Sequence, residues 1–320
     1  MAIRKKRELG FVDAMIGGGN RTGALLGRLD AATPWETLAE PIAALSEYTN
    51  TGPGRPAWSP TLMLKCMMLA KWFNLSDPGL EEALMDRISF RKFVGLSFTD
   101  STPDETTFVT FRKRLREAQI HDNIFDAVVR HLDSQGFLVR EGTMVDATII
   151  EQSTGRGRGD GTSTRDPEAS FTKKHGQTHH GYKGHIACDL SGVVTGYRFT
   201  TAKEHDSRHI DDLTIDEHTA VIADSAYSDR SRRAALRARG VADGICYKRN
   251  RNQAALYDWQ ERFNSVVSRL RARVEHPFAM MKHQLGLRQV RYRGLQRNAF
   301  DFAITLAACN LKKSLSLREP

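Results

Sequence analysis

An α/β fold preceded by an all-helical region is what this 320-residue sequence predicts, on three observations. Apolar residues recur at helical spacing from Pro34 to about Gly136. β-rich apolar runs begin after Gly136, and beyond them strand-like and helix-like stretches alternate. In the helical region Leu62, Cys66, Leu69 and Phe73 form one stripe, which Leu80, Leu84, Ile88 and Phe93 continue. Ser76-Asp77-Pro78 and Thr102-Pro103-Asp104-Glu105 supply start signals, each a capping residue ahead of a first-turn proline. The helix after Pro103 turns Phe108, Phe111 and Leu115 inward. Around them stand Thr107, Thr110, Arg112, Lys113, Arg114 and Arg116, either a recognition helix for a DNA groove or an ordinary amphipathic helix with a basic face.

The strands follow the same logic. Thr143–Ile150 is β-rich and apolar, as in a strand buried on both faces. Glu151 to Gly184 is polar and glycine-rich and reads as a loop carrying Arg156, Arg158, Lys173, Lys174, His179 and His180. His185–Asp189 and Val193–Thr200 flank Leu190-Ser-Gly192 as a hairpin, Ala220–Asp224 is a second buried strand, and Gly244–Lys248 a further short one. Helices are expected near 207–217 and 229–239, and over Asp258–Gly286 and Leu295–Leu317. These elements divide the chain into a basic, mobile arm (1–33), a helical domain (34–136) and an α/β domain (137–320) with its polar loop at 151–184.

Composition narrows the classes of function. No apolar run approaches the ~18 residues that a membrane span needs, and the basic Met1–Arg7 lacks the apolar core of a signal peptide. The four cysteines show no metal-binding spacing and read as buried thiols of a reducing cytosol. The net charge is +9, unevenly spread: Arg230 to Pro320 carries 20 Lys and Arg against 6 Asp and Glu, whereas the preceding 229 residues carry 27 against 32. Such asymmetry points to a polyanion, and without a basic amphipathic helix bearing exposed large apolars it favours nucleic acid over a membrane surface.

Three acids stand on scaffold elements. Asp146 interrupts an apolar strand, where an ionised carboxylate is costly unless it binds a cation or is hydrogen-bonded. Asp224 closes a second apolar strand, and two such acids on one sheet suit a hard divalent cation. Glu275 lies on the helix whose buried stripe is Phe263, Val267, Leu270, Val274 and Met281. On that wheel Arg271, Glu275 and Lys282 fall within about 40° of one another. Pro277 is expected to kink this helix just beyond Glu275. A carboxylate for metal beside cations for phosphate is what phosphoryl transfer on nucleic acid requires.

The order Asp146, Asp224, Glu275 resembles the DDE triad of bacterial insertion-sequence transposases. Val274-Glu-His-Pro-Phe278, Lys282 and Val290-Arg-Tyr-Arg-Gly-Leu295 are similar to the group named after insertion sequence five. That group and its close relatives, insertion sequence four among them, show a Tyr-x2-Arg-x3-Glu-x6-Lys signature. Arg271, Glu275 and Lys282 match it, with Ser268 where the Tyr belongs. Asp166-Pro-Glu168, Gly181-Tyr-Lys-Gly-His185, His205-Asp206, Asp224 with Tyr227, Gly54-Arg-Pro56, Leu62–Leu75 and Asp104–Arg112 also match, in order, across residues 34–312.

The resemblance implies a ribonuclease-H-like catalytic core with a mixed five-stranded sheet, three strands antiparallel and two parallel. It implies cleavage at the ends of an insertion sequence and transfer of the 3′-OH ends into target DNA. Two Mg2+ ions, or Mn2+ in their place, would be held by Asp146, Asp224 and Glu275. A metal-dependent nuclease that does not join ends, and a domesticated DNA-binding protein, are the alternatives. Phosphate contacts are expected from Lys248, Arg249, Arg271, Lys282, Arg291 and Arg293, and end recognition from 34–136. A homodimer on paired terminal inverted repeats, in the bacterial cytoplasm at the nucleoid, is the expected working form, with no small-molecule substrate.

Overall fold

The computed structural model describes residues 21–49, 56–155, 164–174, 176–214, 219–249 and 253–318. Arg156 and Arg158, the first 20 residues of the expected arm, and the end of the helix expected over 207–217 lie outside these. The chain divides into two compact units, Met1–His131 with Ala303–Pro320, and Leu132–Phe302. The last helix, Leu295–Arg318, thus contributes to both, a division that a single domain over 137–320 does not contain.

The first unit is helical throughout. From Arg21 to Ala32 the expected arm is a helix, because Leu26 and Leu29, three positions apart, share a face and are buried. The helices Trp35–Ala43, Pro60–Trp72 and Ile88–Val94 meet around Trp35, Trp72 and Phe93, whose rings stand edge to face with centroids 5.5 to 6.3 Å apart. Cys66 and Leu69 are fully buried, whereas Ile88 is exposed. Residues 303–318 close this core: Ala303, Ile304, Leu306, Ala307 and Leu311 are buried, and Trp72 Nε1 donates to the Ala308 carbonyl at 2.9 Å.

Both capping signals act. Ser76 Oγ accepts from Gly79 N at 3.2 Å at the start of Asp77–Asp86. For Glu105–Glu117 the cap is Asp104, which accepts from Thr107 N at 2.6 Å; it follows Pro103 rather than preceding a first-turn proline. Phe108, Phe111 and Leu115 are buried as their spacing demands. Arg112 leaves the basic face to pair with Asp77, Nη1 to Oδ1 at 2.6 Å.

The second unit is built on a six-stranded sheet: β1 (Thr143–Glu151), β2 (Ser170–Lys174), β3 (Gln177–Cys188), β4 (Val194–Thr201), β5 (Ala220–Ala223) and β6 (Ala242–Ile245). The order is β2-β3-β1-β5-β6, with β4 also paired to β3. β4, β3 and β1 are antiparallel, while β5 and β6 run parallel to β1, giving the expected five-stranded mixed sheet. The sixth strand arises inside the segment that polarity alone marks as a loop. There β2 and β3 form a hairpin, and β3 pairs with β1 from Gly181 to Cys188.

Two glycines make that pairing possible. A Cβ at Gly181 would stand 2.2 Å from the Ile150 carbonyl oxygen, and one at Gly184 would strike the Phe302 ring at 2.5 Å. Under the parallel half of the sheet Val145, Ala187, Val221, Ala223, Tyr227 and Ile245 form one buried cluster.

Candidate active site

The two aspartates are brought together by strand register. β1 and β5 pair in parallel through Thr143–Val221, Met144–Ile222 and Val145–Ala223, so the next position on each strand holds Asp146 and Asp224. Asp146 Oδ1 accepts from Ala147 N at 2.8 Å, and Asp224 Oδ1 from Ala226 N at 2.8 Å, which fixes both carboxylates. Arg271, from the helix Asp258–Arg271, reaches both: its Nη1 lies 3.0 Å from Asp146 Oδ2 and 3.9 Å from Asp224 Oδ2. Burial raises the Asp146 carboxyl above its ordinary range; the Arg271 guanidinium lowers it and the Asp224 charge raises it further. Arg271, expected on phosphate, therefore stands between the two acids.

The helix beyond Arg271 is not one regular rod. A 3-10 turn spans Ala272–Val274, a short α-helix Glu275–Ala279, and a π-helical turn Met280–Gln284. Pro277 has no N–H to donate and its ring crowds the carbonyl four residues back, which accounts for the break at Arg273. A wheel at constant angle fails accordingly. Val267, Val274 and Met281 are buried, but Leu270 is exposed. Glu275 is exposed on the short helix, and among the described residues no three Asp, Glu, His or Cys are gathered as a metal site. Asp146 and Asp224 are hard oxygen donors side by side with their charge already drawing in a cation, and they fit a divalent ion. Glu275 does not join them in this arrangement.

The expected phosphate contacts are distributed. Lys248, Arg249, Arg291 and Arg293 are exposed; Arg249 donates to the Ala254 carbonyl at 3.2 Å and Arg293 to the Arg165 carbonyl at 2.8 Å. Lys282 is half-buried, and burial, then Lys174 and Arg288, push its ammonium below the usual range. Lys174, on the unforeseen strand β2, also lowers the Asp146 carboxyl. Ser268 stands in place of the signature Tyr near Cys246, whose thiol burial raises and Ser268 lowers.

Several matching motifs prove to be scaffold. The Asp166 carboxylate accepts from Tyr182 Oη at 2.7 Å and Gly294 N at 2.8 Å, and Glu168 accepts from Leu295 N at 2.7 Å. Burial opposes the Asp166 charge, but these donors hold its carboxyl below the ordinary range. Together they cap the N-terminus of the last helix. Spacing alone does not reveal two further arrangements. Lys183 Nζ pairs with Asp206 Oδ1 at 2.8 Å, and Arg232 reaches the carbonyls of Tyr227 and Ser207, both at 2.8 Å.

Among solved structures, a cryo-EM synaptic complex of piggyBac transposase with hairpin DNA covers 92% of this chain and 74% of its own, at 11% identity and a TM-score of 0.44. That superposition is loose, and membership rests on the family models. A transposase domain model (DUF772) matches residues 17–114, and the transposase DDE domain model matches residues 138–311, a span that includes Asp146, Asp224 and Glu275. The chain belongs to the DDE transposases, the metal-dependent DNA transposases typical of bacterial insertion sequences.

Proposed function

We propose that this transposase cuts at the two ends of its insertion sequence and joins the freed 3′-OH groups to target DNA, with Asp146, Asp224 and Glu275 as the metal-holding acids. The observation that carries this reading is the parallel register of β1 and β5, which sets two carboxylates side by side with a guanidinium drawn between them. Two Mg2+ ions, replaceable by Mn2+, would supply charge stabilisation to the entering and leaving oxygens of an in-line displacement. The chain's own contribution is orientation: the Ala147 and Ala226 amides aim the two carboxylates, and Arg271 offers donors to a phosphate oxygen. Glu275 would complete the set by movement of its short helix. In cleavage, water forms the new P–O bond and the 3′ oxygen leaves. In joining, that 3′-OH forms the bond and a target 3′ oxygen leaves, so no covalent enzyme intermediate arises.

DNA carrying the element's ends tests this directly. Cleavage and joining are expected with Mg2+ or Mn2+ and not with Ca2+, whose looser coordination ill suits in-line transfer. Full activity in excess chelator overturns the reading, and cutting without joining would assign a nuclease.

The basic C-terminal third is proposed to hold phosphates through Lys248, Arg249, Lys282, Arg291 and Arg293, while the helical unit reads the ends through the exposed side of Glu105–Glu117. Alanine at any of these five should weaken binding to all sequences and flatten its salt dependence by about one counterion. Loss confined to one sequence would show instead that the residue reads bases.

The working form is proposed to be a homodimer holding both inverted repeats in the bacterial cytoplasm, since a two-fold assembly matches paired, inverted ends. The mass of the complex with end DNA decides it: one protomer on one end, competent in joining, refutes pairing. Among the described residues no helix is long and apolar enough to cross a membrane.

A further inference from the structure

The exposed side of the helix Glu105–Glu117 has a composition that helix stability does not explain. Thr106, Thr107, Val109 and Thr110 put four β-branched residues into five consecutive positions, and β-branching lowers helix propensity. Burial does not account for them either: Thr106 and Thr110 are exposed, Thr107 is half-buried and Val109 is 52% exposed. The buried stripe is Phe108, Phe111 and Leu115, on the other side. At 100° per residue Thr106, Val109, Thr110 and Lys113 fall within an arc of about 100° and form the outward ridge.

What the ridge presents is methyl groups. The Thr106 hydroxyl donates to Asp104 Oδ1 at 2.8 Å beside the helix cap, so its methyl is the group left to offer. Val109 adds two methyls and Thr110 one, a turn further on. Charge is placed around these methyls rather than among them. Arg114 and Arg116 lie about 160° apart, one on each side of the ridge, while Arg112 is turned away onto Asp77. Lys113, further along the ridge, stands 3.8 Å from Glu117. On the Arg114 side a cleft of about 220 Å3 opens between Thr106, Thr110 and Arg114 and the rings of Tyr48 and Trp58, which leaves that flank accessible.

We propose that Thr106, Val109 and Thr110 read thymine methyl groups in the major groove of the terminal repeats, with Arg114 and Arg116 on the phosphates to either side. The major groove presents the C5 methyl of thymine beside the donors and acceptors of the base edges, and aliphatic or threonine methyls are the side-chain groups that match it. A helix in that groove has base edges beneath it and a phosphate backbone along each flank, the same order of groups that surrounds this helix. A protein partner calls for large aromatic or aliphatic side chains at the centre of the patch, and here there are none. The methyls then set which DNA is preferred, and the arginines set how tightly any DNA is held. The inference rests on the reading that this helix meets the element's ends.

The test compares binding of the full chain, without metal, to a duplex of the terminal repeat and to its twin with every thymine replaced by uracil. The twin lacks only the methyls; pairing, phosphates and length are unchanged. The wild-type chain should prefer the thymine duplex by about fourfold for each methyl contacted. Val109→Ala should lose affinity for the thymine duplex and none for the uracil twin, so the preference shrinks. Thr110→Ser, which removes one methyl and keeps the hydroxyl, should shrink it too, and carries the measurement if the alanine variant loses its fold. Arg114→Ala should weaken both duplexes alike and leave the preference intact. A preference that survives both methyl deletions, or its absence in the wild type, overturns the proposal while Arg114→Ala still places the helix on DNA. If Arg114→Ala weakens neither duplex, the helix does not meet the ends, and that reading falls together with the proposal.

Discussion

Replacing Asp146 or Asp224 by Asn is expected to abolish cleavage and joining, by at least about a thousandfold or about 4 kcal/mol of barrier, while leaving DNA binding intact or slightly tighter. The asparagines keep an oxygen to accept from the Ala147 and Ala226 amides, so the fold is spared. What they lose is the charge that draws a cation to the end of the parallel strands. Removing a carboxylate also relieves its repulsion of phosphate, which sets the direction of the binding effect. Glu275→Gln should match them in activity. Gel assays of cleavage, joining and end binding measure all three. Near-normal cleavage by an Asp variant sinks the pair, and by the Glu variant sinks only the third acid.

Gly181→Ala should remove about 3 kcal/mol of stability and lower Tm by about 9 °C. The added methyl would meet the Ile150 carbonyl oxygen at 2.2 Å and the Gln152 amide at 2.9 Å, both backbone and unable to give way by a rotamer change. The control is Gly196→Ala on β4, whose methyl would find Leu213 and Ala187 at 3.6 and 3.9 Å, ordinary contact distances, and whose effect should stay under about 1 kcal/mol. Calorimetry on both decides the matter, because equal melting temperatures would mean that the β1–β3 pairing does not depend on this close approach. The strand that would suffer is β1, where Glu151, the partner of Gly181, lies five residues beyond Asp146.

Much of the catalytic unit was legible because burial on both faces leaves a plain mark. The runs at 143–150 and 220–224 are β-rich and mostly apolar with one acid each, and their strands lie where those runs lie. The hairpin β2–β3 was not, since Ser170–Lys174 is mostly polar and no residue of it is buried, and only its pairing with Gln177–Gly181 makes it a strand. The helix from Arg21 on is hidden in the sequence because the glycines before it outweigh the short leucine stripe that folds. Arg271 could be found by its spacing to Glu275 but not assigned a partner, because its partners sit 125 and 47 positions away on the sheet. Lys183, Asp206 and Tyr227 belong to three separate segments, and nothing in one dimension joins them.

The passage from 3-10 to α to π winding within Ala272–Gln284 changes what the spacing of Arg271, Glu275 and Lys282 measures. In a uniform helix a spacing fixes an azimuth, and one inserted residue would swing everything downstream by about 100°. Where the winding itself varies, tight before Glu275 and loose after Met280, an overtwist and an undertwist offset each other. The Arg-x3-Glu-x6-Lys signature is then a measure of contour length along the chain rather than of azimuth, with Arg271 on the two aspartates and Glu275 exposed on the short helix. A residue gained or lost in this stretch could then be taken up by exchanging one kind of turn for another, with Arg271 still reaching the sheet.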